Sequence, residues 1–239
     1  SVGSGEDEFV LTGTADRVDG WEHGGKLYLR VVDYKTGKKT FDLAELRYGL
    51  GLQMLLYLFA LEQEGGALFG GKEIVPAGVL YTPAREPMLR CARNTADETI
   101  EKARKKELRR SGMVLEDPAV LEAMEHDALD APEYLPIAVK KGGALSGSLA
   151  SEGQFAKLAK YVDRVLREIA DEVFAGNINA DPYARTPQQS ACTYCEFASA
   201  CHFENGRGGD HMEYIKATKT DEFWSYIDEV NGEGGRKNG

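Results

Sequence analysis

The residues best suited to chemistry cluster early in the chain. Gly13-Thr14-Ala15-Asp16 precedes a glycine-bearing connection, and Val31-Val32-Asp33-Tyr34-Lys35 follows it. Asp33 and Lys35 are two apart on a β-rich run, so their side chains share one face of a strand and Tyr34 points to the other. Val31, Val32 and Tyr34 mark that strand as buried and central, a costly place for an unpaired carboxylate or ammonium. Two compensations are open. One is a mutual ion pair. The other is a divalent cation, with Asp16 bringing a second carboxylate from the end of the neighbouring strand. Two carboxylates, a backbone carbonyl and waters suit Mg²⁺ or Mn²⁺. Such an ion lowers the pKa of a bound water and neutralises charge on a phosphoryl oxygen, and a lysine beside it orients the nucleophile. Phosphodiester hydrolysis needs that combination.

A second constellation lies near the C-terminus. Cys192, Cys195 and Cys201 are spaced C-x2-C-x5-C, a spacing that brings thiolates to one metal centre. Zinc and an iron-sulfur cluster are both compatible with it, and His202 is an awkwardly placed candidate for a fourth zinc ligand. Cys91, the remaining cysteine, reads as a small buried core residue.

These residues need elements to position them. Phe9 to Thr14 and Leu27 to Val32 predict a hairpin with a loose connection through Gly20, Gly24 and Gly25. Apolar residues at three- and four-residue steps predict one long helix from Asp42 to Glu64, stopped by Gly65-Gly66. On it Gln53 and Tyr57 stand at i and i+4, sharing a face. By themselves they read as a core tyrosine with a glutamine satisfying a buried polar group. Ile74 to Tyr81 and Met88 to Ala92 predict a second strand pair. A charged helix from Asp97 to Arg110, a short one near Ala119 to His126, and a long one from Ser151 to Phe174 complete the pattern. Strands alternating with helices imply an α/β domain built on a mixed sheet, with a C-terminal cysteine-rich appendage. Serially, 1–8 reads as an artificial or cut end, 9–176 as the core with helical insertions, 177–215 as the cysteine segment and 216–239 as a polar tail.

Charge narrows the function further. The 239 residues carry a formal net charge of -10, which excludes a protein that coats nucleic acid by bulk electrostatics. The acidity is local, however. Gly112 to Leu135 holds seven acids and no lysine or arginine, whereas Lys26 to Thr40 holds five basic residues against Asp33 alone. Lys38 and Lys39, just beyond Lys35, are the candidates for phosphate contact. The basic run from Glu101 to Arg110 reads equally well as a solvated helix with internal ion pairs. No apolar run reaches the length of a membrane helix, no secretory leader opens the chain, and four cysteines are too few for a disulfide scaffold, so a cytoplasmic location is expected.

Taken together, Gly13-x-x-Asp16, Asp33-x-Lys35 and Gln53-x-x-x-Tyr57 resemble the core of the PD-(D/E)XK nucleases in their RecB-like form. Tyr48-Gly49-Leu50-Gly51-Leu52-Gln53-Met54-Leu55-Leu56-Tyr57-Leu58, Pro76-Ala77-Gly78-Val79-Leu80-Tyr81 and the cysteine segment sharpen the match to the C-terminal nuclease domains of AddB-type subunits, from about Phe9 to Tyr214. The resemblance implies a restriction-endonuclease-like mixed sheet flanked by helices. It implies that Asp16, Asp33 and the Tyr34 carbonyl bind Mg²⁺ or Mn²⁺, that Lys35 is catalytic, and that Gln53 and Tyr57 reach the site. It implies that Cys192, Cys195 and Cys201 ligate a [4Fe-4S] cluster whose first cysteine lies upstream of the nuclease domain, so the cluster is expected to be incomplete in this chain. A histidine ligand from an upstream helix is likewise not matched here, and His23 reads instead as a solvated loop residue. The implied activity is exonucleolytic cutting of unwound single-stranded DNA in double-strand-break repair, beside an AddA-like helicase-nuclease partner and away from any membrane. Two other readings stay open: a CRISPR-associated exonuclease of the RecB family, and a non-catalytic DNA-binding or scaffolding domain.

Overall fold

The computed structural model describes residues Phe9–Glu233. The first elements are β1 (Arg17–His23), β2 (Lys26–Lys35), α1 (Leu43–Arg47), α2 (Gln53–Glu64) and β3 (Glu73–Pro83). Next come α3 (Asp97–Glu107), β4 (Ser111–Leu115), α4 (Pro118–Met124), β5 (Ile137–Val139), β6 (Leu145–Gly147), β7 (Leu149–Ala150) and α5 (Glu152–Phe174). The chain continues through β8 (Tyr183–Thr186), β9 (Gln189–Ser190), α6 (Ala198–Cys201), β10 (Glu213–Tyr214) and α7 (Thr220–Glu233). Residues 1–8, read from the sequence as a cut end, lie outside the described residues.

Two compact units share these elements, and neither is continuous in sequence. One comprises Thr12–Phe41 and Gly51–Val162; the other combines Asp42–Leu50 with the chain from Asp163 and residues 9–11.

The first unit is a five-stranded mixed sheet in the order β1-β2-β3-β4-β7. β1 and β2 are antiparallel, β2 and β3 parallel, β3 and β4 antiparallel, and β4 and β7 parallel. The mixed α/β architecture expected from the sequence is therefore present. Its first hairpin is tight where a loose connection was expected. Gly24 and Gly25 have φ of +58° and +82°, the two successive positive values that a two-residue turn matched to strand twist requires. That turn sets the register from His23↔Lys26 back to Arg17↔Val32, so the partner of β2 is 17–23, and the strand expected at Phe9 to Thr14 does not form.

α2 covers one face of the sheet with Met54, Leu55, Leu58 and Phe59 buried. Leu27, Leu29 and Ile74 form one core cluster, with Leu61 of α2 and Phe69 packed against it. On the other face Val32, Leu80, Val114, Leu121, Leu135 and Ile137 form a second cluster. By strand alternation Asp33 and Lys35 continue the row Leu27, Leu29, Val31, on the face that α2 covers.

Three expectations fail locally. The long helix is broken between α1 and α2, because Gly49 and Gly51 take φ of +71° and +69°, outside the helical region. Met88 to Ala92 is not a strand; Pro83 and Pro87 withhold backbone donors there, and the antiparallel partner of β3 is Ser111–Leu115. That strand approaches so closely that a Cβ on Gly112 would stand 1.9 Å from the Val79 carbonyl oxygen. Cys91, expected in the core, is exposed.

In the second unit α1 packs against α7, and Arg185 of β8 bridges Asp42 at 2.5 Å and Glu45 at 2.9 Å. The Arg47 guanidinium stands 4.7 Å from the centre of the Tyr226 ring. Phe223 and Ile227 of α7 are fully buried. The described part of the segment from 216, read as a polar tail, is thus largely a packed helix. β8, β9 and β10 make a small three-stranded sheet beside the cysteine segment.

Candidate active site

Asp16 immediately precedes β1, and continuing the hairpin register one step brings it opposite Asp33. Its Oδ2 accepts a hydrogen bond from the Tyr34 backbone N–H at 3.0 Å, which ties this carboxylate to the strand that carries Asp33. Lys35 Nζ lies 2.7 Å from Asp33 Oδ2. That is ion-pair distance, but the contact lies off the hydrogen-bond direction, and Oδ2 is buried without a hydrogen-bond donor. The Asp33 side chain is 13% exposed and that of Lys35 37%. The lysine thus reaches the rim while the carboxylate stays beneath it.

Tyr34 turns the opposite way, as alternation requires. Its hydroxyl accepts a hydrogen bond from Arg17 Nη1 at 3.0 Å. Arg17 also pairs with Asp19 at 2.5 Å, and Arg30 reaches the other oxygen of Asp19 at 2.8 Å. Burial pushes the Asp19 carboxyl up, but the hydrogen bonds and charge of the two arginines outweigh it and hold the group below the usual carboxylate range. This triad fastens β1 to β2 just before the site. Arg17 therefore has the structural role, paired to an acid, that its sequence neighbours suggested.

On α2, Gln53 Nε2 donates to the Tyr57 hydroxyl at 3.0 Å. Gln53 is exposed, so it does not satisfy a buried core group as the plain reading of the pair would have it. The Tyr57 ring lies against Gly13, where a Cβ would meet Cε1 and Oη at 2.6 Å. The helix thus contacts the segment three residues ahead of Asp16.

Tyr81 of β3 pairs in register with Asp33. Lys35 Nζ stands 5.9 Å and Lys39 Nζ 6.0 Å from the centre of its ring, within range of a cation–π attraction. Lys38 is exposed and lies 3.3 Å from Glu107 of α3. Thr82 and Arg85, at and just beyond the end of β3, also line the pocket beside Lys35. The sequence reading marked the basic stretch from Arg85 without singling out these two, because the pocket forms only when the ends of β2 and β3 meet α3. His23 ends β1, exposed and stacked on Trp21 with ring centroids 4.5 Å apart.

The donor set fits a hard divalent cation. It offers Asp16 and Asp33 carboxylates and a neighbouring carbonyl, with one buried carboxylate oxygen left without a hydrogen bond. It is a sparse set: among the described residues no three His, Cys, Asp or Glu side chains gather to hold a metal. The remaining positions would fall to carbonyl, water and substrate oxygens. The same finding applies to the cysteines. Cys192 is half-buried, Cys195 and Cys201 are exposed, and all three are free thiols that do not converge.

Comparison with known proteins decides the family. Residues 1–202 match the PD-(D/E)XK nuclease superfamily. The chain belongs to that superfamily. This PD-(D/E)XK domain is 33% identical to the B subunit of the ATP-dependent helicase/deoxyribonuclease of Thermoanaerobacter sp. (strain X514) over 234 residues, covering 97% of the chain and 20% of that protein. It is 35% identical over 228 residues to the protein of the same name from Clostridium kluyveri, and 36% over 226 residues to that from Acetivibrio thermocellus. Each of these matches covers 94% of the chain and 20% of the relative. The PD-(D/E)XK domain therefore spans about one fifth of the length of the curated relatives it matches. Among its described residues no helix is long and apolar enough to cross a membrane.

Proposed function

We propose that this chain is the nuclease domain of the B subunit in a helicase-nuclease and hydrolyses phosphodiester bonds of unwound single-stranded DNA. Asp16, Asp33 and the Tyr34 carbonyl would hold Mg²⁺ or Mn²⁺. When bound, that ion lowers the pKa of a water and offsets charge on the phosphoryl oxygen. The observation that carries the reading is the buried, donor-free Oδ2 of Asp33 beside Lys35. An apolar strand tolerates such an oxygen when a cation completes it.

The chain's own groups divide the work. Asp16 is held by the Tyr34 N–H, so its outward oxygen is fixed in direction without a second side chain. Lys35 donates to the attacking water or to a phosphoryl oxygen, and its ammonium steadies the negative charge that grows there. The hydroxyl of Tyr57 and the amide of Gln53 form one polar unit beside the Asp16 segment, suited to orienting substrate. Lys38 and Lys39 meet the strand's phosphates without reading bases, as an exonuclease working along a strand requires. The names of the relatives support a partner of the AddA type and a role in double-strand-break repair.

Cys192, Cys195 and Cys201 belong to the same proposal as three ligands of a [4Fe-4S] cluster with a structural role. That part rests on their spacing and on the family resemblance. The free thiols as they stand do not fit a closed centre, and a fourth thiolate is needed.

The test is cleavage of labelled single-stranded DNA with Mn²⁺ or Mg²⁺ by the wild type, Asp33→Ala and Lys35→Ala, with circular dichroism to verify the fold. Metal-dependent shortening by the wild type and its loss in both folded variants supports the reading. A wild type that binds DNA but shows no metal-dependent cleavage, even with the helicase partner added, turns it toward a scaffolding domain.

A further inference from the structure

The pocket beside Lys35 has features that the cleavage reaction leaves unused. It encloses about 200 Å³ at the ends of β2 and β3. Lys35, Lys38, Lys39, Arg85, Lys106 and Arg109 line it, against the single acid Glu107. Four buried side-chain nitrogen or oxygen atoms have no hydrogen-bond partner among the described residues. Two of them, Thr82 Oγ1 and Arg85 Nε, belong to residues of this pocket, and a third is the Asp33 oxygen next to Lys35. A buried polar group without a partner is costly, so unpaired atoms concentrated in one cavity mark a place where a ligand supplies the missing bonds.

The chemistry of the lining selects that ligand. A cationic excess calls for an anion, and a guanidinium N–H beside a hydroxyl suits a tetrahedral oxyanion. Glu107 lies 3.3 Å from both Lys38 and Arg85, so its carboxylate stands where a ligand's negative oxygens would pair. Arg109 instead donates its Nε to the Leu135 carbonyl at 2.9 Å and an Nη to that of Ile137, which braces the wall. The backbone holds the same corner together: the Ala84 N–H donates to the Lys35 carbonyl at 2.9 Å.

We propose that this pocket binds a phosphate group of the substrate strand next to the point of cleavage, through Arg85, Thr82 and Lys38, with Glu107 occupying those cations until the phosphate displaces it. The proposal rests on the nuclease reading above and adds the subsite that fixes the strand relative to Lys35.

Binding in EDTA tests it independently of cleavage. A short single-stranded oligodeoxynucleotide carrying a 3′ fluorophore is titrated with the chain over a range of salt. Arg85→Ala should weaken binding about tenfold and lower the slope of log affinity against log salt by about 0.7, the share of one phosphate contact on a single strand. Glu107→Gln should tighten binding severalfold. Thr82→Val keeps the side-chain shape and should weaken binding while leaving the melting temperature unchanged or higher, which a purely structural hydroxyl would not do. Equal losses on strands with a 5′ hydroxyl and a 5′ phosphate assign an internal diester; a loss confined to phosphorylated strands assigns a terminal monoester. If Arg85→Ala and Thr82→Val bind with wild-type affinity and slope while the wild type cleaves DNA with Mn²⁺, the pocket proposal alone is overturned. If the wild type neither binds the strand nor cleaves it, the nuclease reading and the pocket fall together.

Discussion

Tyr57 fills the space that a side chain at Gly13 would require, with its ring carbon and its hydroxyl both 2.6 Å from the position of a Cβ there. Helix α2 is thereby seated on the segment leading to Asp16, and the Gln53–Tyr57 hydrogen bond is held against the same segment. Gly13→Ala should push the phenol ring away and shift the Asp16 segment. Because the displaced group is the end of a side chain, stability should change little. The cleavage rate should fall on the order of tenfold to a hundredfold, the cost of misplacing a reacting group by about 1 Å. Single-turnover rates measured beside a melting curve separate the two effects.

Asp16→Asn keeps an acceptor for the Tyr34 N–H and removes only the charge. The fold should survive, and the stabilisation that Mn²⁺ confers on the wild-type melting temperature should shrink or vanish, with cleavage reduced about a hundredfold or more. An unchanged Mn²⁺ response in this variant would remove Asp16 from the metal site.

Asp19 links stability to pH. Its pKa in the folded chain lies below the ordinary value, which is about 3.9 in an unfolded chain. The unfolded state therefore takes up the proton at higher pH than the folded state. The stabilisation is complete above the ordinary value and is lost as pH falls through the depressed one. Urea unfolding should show Asp19→Asn weaker than wild type at neutral pH, with the gap closing in acid. A gap that persists undiminished well below the carboxylate range would mean that packing, not the charge on Asp19, makes the difference.

Gly112 has no room for a side chain, since its Cβ would overlap the Val79 carbonyl oxygen of the neighbouring strand. Gly112→Ala should force β3 and β4 apart and destabilise the sheet by about 3 kcal/mol or more. The loss is readable as a lower denaturation midpoint, and the same substitution at exposed Gly37, where a Cβ meets nothing within 4 Å, serves as the neutral control.

Much of this was legible in the chain itself, for reasons that are local. The two-residue spacing of Asp33 and Lys35 fixes their common face wherever a strand forms. The i,i+4 spacing of Gln53 and Tyr57 likewise makes them neighbours, and a hydrogen bond joins them. The long helix beginning near Ser151 was plain because Ser151 and Gln154 cap it reciprocally, at 2.8 Å and 3.2 Å, as a serine three residues before a glutamine suggests. The break at Gly49 and Gly51 escaped periodicity, because the apolar spacing runs through the two glycines even though their backbone does not. The strand Ser111–Leu115 was hidden beside a stretch whose acidity drew the eye away from Met113, Val114 and Leu115.

By itself, then, the amino-acid sequence determined which residues carry the chemistry and which face each presents, since strand and helix periodicities are properties of the local backbone. Tertiary structure alone decided their company. It tied Asp16 to the Tyr34 N–H, seated Tyr57 on Gly13, put Tyr81 opposite Asp33, and brought Thr82, Arg85 and Glu107 around Lys35. Those contacts depend on strand register, on the tight Gly24-Gly25 turn and on the close approach of β4 to β3. Such pairings join residues far apart in the chain, and only the packed sheet chooses among them.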